Sequence, residues 1–78
     1  MEYNKDKVDE VILALLYLNI TGDKDGTRVW KSFDWDAMNR LYEKGYIGDP
    51  KSKAKSVFIS EDGKKRAEEL FNHFFVED

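Results

Sequence analysis

Residues 33–63 read FDWDAMNRLYEKGYIGDPKSKAKSVFISEDG, and the order of parts in this stretch decides the fold. Asp34 is a good N-cap, because its side-chain oxygen can accept from the free N–H groups of a first helical turn. Met38, Leu41 and Tyr42 follow at helical spacing as an inward face. Phe33 and Met38 occupy the two positions of a hydrophobic staple. Gly45 can adopt the left-handed conformation that ends a helix, with Lys44 at the negative end of its dipole. Trp35, Asp36, Asn39, Arg40 and Glu43 are left facing outward. Tyr46 and Ile47 then begin an extended arm. Asp49-Pro50-Lys51-Ser52 makes a turn, since proline presets φ at its second position. Lys55 to Ile59 is the returning arm, with Val57 and Ile59 on one face and Ser56 and Phe58 on the other. Ser60 caps another helix, whose first turn holds Glu61 and Asp62. The stretch predicts a helix, a two-stranded β-hairpin wing and a second helix.

Working outward, the N-terminal side carries a helix from Asn4 to about Leu18, capped by Asn4. Val8, Val11, Ile12, Leu15 and Leu16 repeat on one face, which Ala14 and Leu18 widen. On the C-terminal side, Ala67, Leu70, Phe71, Phe74 and Phe75 form the inward stripe of the last helix. The expected core is Val8, Val11, Ile12, Leu15, Leu16, Met38, Leu41, Ile47, Val57, Ile59, Ala67, Leu70, Phe71 and Phe74. Residues 19–33 open with a Gly- and Asp-rich turn, and Thr27 to Trp30 fits either a short strand or one helical turn. Thr21, Asp23, Asp25, Gly26 and Ser32 fall on calcium-loop positions. The carboxylate needed at position 1 and the Glu needed at position 12 are both missing, so no metal is expected.

The 78 residues form one domain, 1–78, of the mostly helical α/β class. Cysteine is absent, which excludes disulfides and thiolate metal sites. No apolar run reaches the roughly 18 residues of a membrane span, and MEYNKDKVDE lacks the order of a signal peptide, so a soluble cytoplasmic protein is expected. The net charge of −3 disfavours non-specific attraction to nucleic acid. The charge is unevenly placed. Residues 1–27 carry three basic and six acidic side chains, residues 28–66 ten and six, and residues 67–78 none and four. The basic block coincides with the middle helix and the wing.

Leu41-x-x-x-Gly45-Tyr46-Ile47, followed by Val57-x-Ile59-Ser60-x-x-Gly63-x-x-x-Ala67, resembles the end of a winged-helix domain of the MarR or PadR kind. The likeness covers residues 34–75. The whole chain also resembles a small bacterial family of unknown function, through its Trp-Asp pair after the loop and its Asp-Pro-Lys-Ser-Lys-Ala-Lys-Ser wing. The resemblance implies a winged-helix scaffold. It would make the middle helix a recognition helix and the wing a phosphate grip. Two departures bear on that use. The helix that normally braces the recognition helix has only residues 19–33 to form from. The recognition helix would present Asp34 and Asp36 at its tip, where a duplex carries one phosphate charge per about 1.7 Å. The wing, with Lys44, Lys51, Lys53 and Lys55 against Asp49, suits phosphates better.

These residues lead to two functional expectations. The first is a non-enzymatic module for protein contacts or self-association as a homodimer, with Trp30, Trp35 and Phe58 as exposed aromatic anchors. The second is a DNA-binding regulator that contacts phosphates through the wing and Lys64-Lys65-Arg66. The bland alternative for every lysine is solubility. Trp35, Arg40, Lys51, Lys53 and Lys55 are the candidate contact residues. No cofactor, metal, membrane or catalytic role is expected. His73 is the sole histidine, and no motif places a base beside Ser52, Ser56 or Ser60.

Overall fold

A computed structural model describes residues 1–23, 26–30, 34–51 and 55–77. Helix α1 (Lys5–Leu16) starts at Asn4, whose Oδ1 accepts from the Lys7 N–H at 3.0 Å. It runs into a 3-10 turn, Tyr17–Asn19. Strand β1 (Thr21–Asp23) pairs antiparallel with β2 (Gly26–Trp30), with Thr21 opposite Arg28. The ambiguous Thr27–Trp30 stretch is therefore a strand. Among the described residues no helix stands where a winged-helix brace would lie.

Helix α2 (Trp35–Glu43) is capped by Asp34, whose Oδ2 accepts from the Ala37 N–H at 3.1 Å. It ends at Gly45, with φ at 82°. The Gly45 N–H bonds back to the Tyr42 carbonyl and the Tyr46 N–H to that of Leu41, at 3.0 and 3.1 Å. That pair of bonds is a Schellman motif, and it turns the chain sharply into the wing.

The two arms of the wing are in place. Ile47 bridges Ile59 antiparallel, and the Gly48 N–H donates to the Phe58 carbonyl at 2.7 Å. The returning arm, β3 (Ser56–Phe58), pairs on its other side with β2, so the described strands form one sheet in the order β1-β2-β3. Helix α3 (Glu61–Phe75) closes the chain. The result is a mostly helical, winged-helix-like α/β fold with α1, α2 and α3 packed on the sheet and wing.

Ser60 ties three of these parts together. Its hydroxyl accepts from the Gly63 N–H at 2.9 Å and donates to the Gly45 carbonyl at 2.7 Å. Its own N–H donates to the Tyr46 carbonyl at 2.9 Å. The end of α2, the start of the wing and the start of α3 are thus one junction.

The core contains Ile12, Leu16, Met38, Leu41, Ile47, Val57, Ile59, Ala67 and Leu70 as expected, and adds Leu13, Ala14, Val29 and Ala37. Three expectations are corrected. Val11 and Leu15 are half-buried, while Leu13 is buried. The inward face of α1 is turned by roughly 80–100° from the purely aliphatic face, at 3.6 residues per turn. The cause is Asp9, which turns inward to meet two cations of α2. Tyr42, expected inside, lies largely in water, because Met38 and Leu41 already fill the inward side of α2. Leu18 and Phe75, expected on the inward faces of their helices, are exposed, while Pro50 of the wing's turn is buried. Phe71 and Phe74 pack against the core from its edge. The Phe33 staple, the Asp25 and Ser32 loop positions and Lys53 lie outside the described residues.

Candidate functional site

Large aromatic rings are exposed on α2 and on the sheet. On α2, residues at spacings of four and three share one side, so Trp35, Asn39 and Tyr42 line up. Trp35 is 50% exposed and Tyr42 45%. Asp34, Asp36 and Glu43 flank this stripe, all exposed. The two nearest cations in sequence, Arg40 and Lys44, point back toward α1 instead.

The outer face of the sheet follows from its register. Val29 pairs with Val57 and both are buried, so the next pair, Arg28 with Phe58, faces out. Phe58 is 48% exposed. The Arg28 guanidinium is held over β3: Nε donates to Ser56 Oγ at 2.8 Å and Nη2 to the Ser56 carbonyl at 2.7 Å. Lys51, in the wing's turn, and Lys55, just before β3, are exposed. The Lys51 N–H donates to Asp49 Oδ1 at 2.9 Å, which shapes the turn.

Of the candidate contact residues, the structure leaves Trp35, Lys51 and Lys55 on the surface. Arg40 is committed elsewhere. Its Nε and Nη2 grip the two carboxylate oxygens of Asp9 at 2.7 and 2.8 Å, a bidentate pair. Lys44 Nζ adds a third contact to Asp9 at 3.2 Å and reaches Asp6 at 3.6 Å. Asp9 is 1% exposed. Burial by itself would push its carboxyl up. The hydrogen bonds from Arg40 and Lys44 outweigh that and hold it below the usual carboxylate value. The Arg40 guanidinium is pushed up, chiefly by its hydrogen bond to Asp9.

This cluster was missed by sequence reasoning, although a signal existed. Arg40 and Lys44 lie one turn apart on α2, and Asp6, Asp9 and Glu10 crowd one end of α1. Opposite charges concentrated on two helices that must pack together predict a clamp.

Beside the clamp is a cleft of about 230 Å³, lined by Asp6, Asp9, Glu10, Lys44 and Arg66 over a floor of Leu13, Leu41 and Leu70. Its charges are already matched: Arg66 Nη2 lies 3.3 Å from Glu10 Oε2, and Lys44 serves Asp6 and Asp9. His73 is exposed, edge-on to Phe74 with ring centres 5.1 Å apart. Among the described residues no group of three His, Cys, Asp or Glu side chains is placed to hold a metal ion. No described helix is long and apolar enough to cross a membrane.

With the geometry in hand, comparison with known proteins adds the following. A family described as "Domain of unknown function (DUF6429)" matches residues 4–77. An uncharacterized protein, y4hR, of Sinorhizobium fredii (strain NBRC 101917 / NGR234) is 43% identical over 76 residues, covering 97% of this chain and 99% of the relative. No solved structure matches the chain.

Proposed function

Taking as premise that the chain belongs to the DUF6429 family, we propose that it is a non-catalytic, cytoplasmic binding module that makes protein contacts through the outer side of α2 and the sheet. One observation carries this reading. Trp35 and Tyr42 on the outer side of α2, and Phe58 on the outer face of the sheet, each stand about half in water. Half-exposed aromatic rings are the commonest anchors of protein interfaces. The α2 stripe has the wrong charge for a nucleic acid, because Asp34, Asp36 and Glu43 border it. The charged cleft pairs its acids and bases with each other, which supports a binding role over a catalytic one. On this reading the likeness to MarR and PadR proteins is one of scaffold.

The test is a pull-down from an extract of the source cell, with wild type compared with Trp35→Ala/Tyr42→Ala. The expected result is a retained protein whose recovery falls at least about tenfold with the variant, as for loss of an interface anchor. Equal recovery by both proteins, or nothing retained by wild type, overturns the reading.

A second reading has its own observation. Arg28, held by Ser56, places a cation on the outer face of the sheet, and Lys51 and Lys55 are exposed on the wing. Such cations suit phosphates without reading sequence. Titration of a labelled duplex at about 20 mM salt, where electrostatic attraction is strongest, separates the two readings. Under the protein-contact reading no saturable binding appears. Saturable binding that Lys51→Glu/Lys53→Glu/Lys55→Glu abolishes, with the melting temperature unchanged, would assign the wing to nucleic acid.

A further inference from the structure

Folding sorts the charges of α2 in a way that the order of its residues hides. The segment from Asp34 to Lys44 holds three acids and two bases. Both bases, Arg40 and Lys44, leave the outer side and reach the buried carboxylate of Asp9 on α1. The acids stay behind. Asp36 and Glu43 are exposed, and among the described residues no cation pairs with either. The outer side of α2 is therefore anionic, although the charges of the segment nearly balance.

The same side carries its two exposed rings in step with the acids. On an α-helix, positions seven apart fall within about 20° of one line and about 10.5 Å apart along it. Trp35 and Tyr42 make one such row. Asp36 and Glu43 make a second, about 100° further round. Asn39, half-buried, lies between them. The rings offer apolar area, and their faces attract cations. The carboxylates accept charge-assisted hydrogen bonds from Lys or Arg. The two rows thus call for apolar contact and positive charge, each repeating at about 10.5 Å. A second α-helix meets that repeat with its own positions seven apart. Residues on one side of a strand recur at about 6.7 Å, and those of a polyproline helix at about 9.3 Å, so both fall out of step.

Resting on the protein-contact reading above, we infer that the partner of α2 is a basic amphipathic α-helix of another protein. Its Lys or Arg side chains, seven residues apart, face Asp36 and Glu43, and its apolar row lies over Trp35 and Tyr42. Charge of this kind steers the encounter and rejects wrong partners. The Asp9 clamp serves the contact as well as the fold. By drawing Arg40 and Lys44 to α1, it removes from this side the two cations that would repel such a partner.

Panning a displayed library of random peptides of about 18 residues, five helical turns, on the wild-type chain tests this. Fluorescence anisotropy of labelled synthetic copies then gives their affinities. The enriched peptides are expected to carry Lys or Arg seven apart beside an apolar row, and to gain helical circular dichroism on binding. Asp36→Asn/Glu43→Gln should weaken them at least about tenfold, as for two interface ion pairs lost, with the melting temperature within a few degrees of wild type. Trp35→Ala should weaken them by a similar factor. Glu2→Gln/Glu77→Gln makes the same change of net charge at exposed positions near the two ends of the chain and should leave the affinity unchanged. Enriched peptides that are acidic or uncharged, that carry their cations three apart in a proline-rich frame, or that bind Asp36→Asn/Glu43→Gln as tightly as wild type overturn the inference. So does a library from which nothing is enriched. These failures differ from failure of the protein-contact reading. A cellular partner lost by Trp35→Ala/Tyr42→Ala but recovered in full by Asp36→Asn/Glu43→Gln keeps the contact surface and removes the basic helix.

Discussion

Gly63→Ala is expected to lower the melting temperature by at least about 8 °C, against the direction that helix propensity predicts. Gly63 lies in the first turn of α3, and alanine is the better helix former there by about 1 kcal/mol. Propensity alone would therefore raise stability. The packing is opposed to it. A Cβ built on Gly63 overlaps the carbonyl oxygen of Tyr46 and lies 2.9 Å from Cγ1 of Ile59. The carbonyl cannot swing aside cheaply, because it accepts from the Ser60 N–H, the bond that docks α3 onto the wing. Ile59 is fully buried and bridges Ile47, so it cannot yield either. Relief requires α3 to lift off the junction, and overpacking of this kind costs about 3 kcal/mol. Less the propensity gain, about 2 kcal/mol remains, which for a domain this size corresponds to about 8–16 °C. Gly48→Ala is the control. Its added Cβ meets Phe58 Cβ at 3.6 Å, ordinary contact, and its melting temperature should stay within a few degrees of wild type. Thermal melts followed by circular dichroism measure both. An unchanged or higher melting temperature for Gly63→Ala would mean that α3 does not sit on the Tyr46 carbonyl.

That junction was legible in the sequence because its parts are local. Asp34, Gly45 and Ser60 each act on a backbone group within a few residues, so their positions alone announce where α2 stops and α3 starts. The wing followed from alternation, since Val57 and Ile59 can share a buried face only if the chain is extended between them. What remained illegible depends on partners distant in sequence. A five-residue strand at Gly26–Trp30 has too little periodicity to be told from a helical turn. It is fixed by pairing with β3, some 28 residues on. The rotation of α1 depends on Asp9 meeting Arg40 across 31 residues. A rule that sends charges outward assigns the opposite face. The same rule put Arg40 among the contact residues, where Trp35, Lys51 and Lys55 remain on the surface.

Arg40→Ala is expected to lower the melting temperature by at least about 10 °C at pH 7, and to lose most of that effect below pH 4. The reason lies on the other partner. Asp9 is almost wholly removed from water, and Arg40 supplies two of the three side-chain hydrogen bonds to its carboxylate. Without them a buried charge keeps only Lys44, and stranding one partner of such a pair is far more costly than never having had the pair. The same argument predicts that Asp9→Leu/Arg40→Met, which removes both charges at once, is much closer to wild type than Arg40→Ala. The pH dependence has a definite sign. The carboxyl of Asp9 titrates below its ordinary value in the folded chain. Its contribution is present above the unfolded value of about 3.9 and fades as pH falls through the lower, folded one. In Arg40→Ala the hydrogen bonds that held it down are gone while the burial that pushes it up remains, so protonation relieves the variant early. The wild-type and variant melting temperatures should therefore converge as pH falls toward and below the ordinary carboxylate value of about 3.9. A gap of constant size over that fall would mean that Arg40 acts through its packing on α1, and that the carboxylate of Asp9 is not what it holds in place.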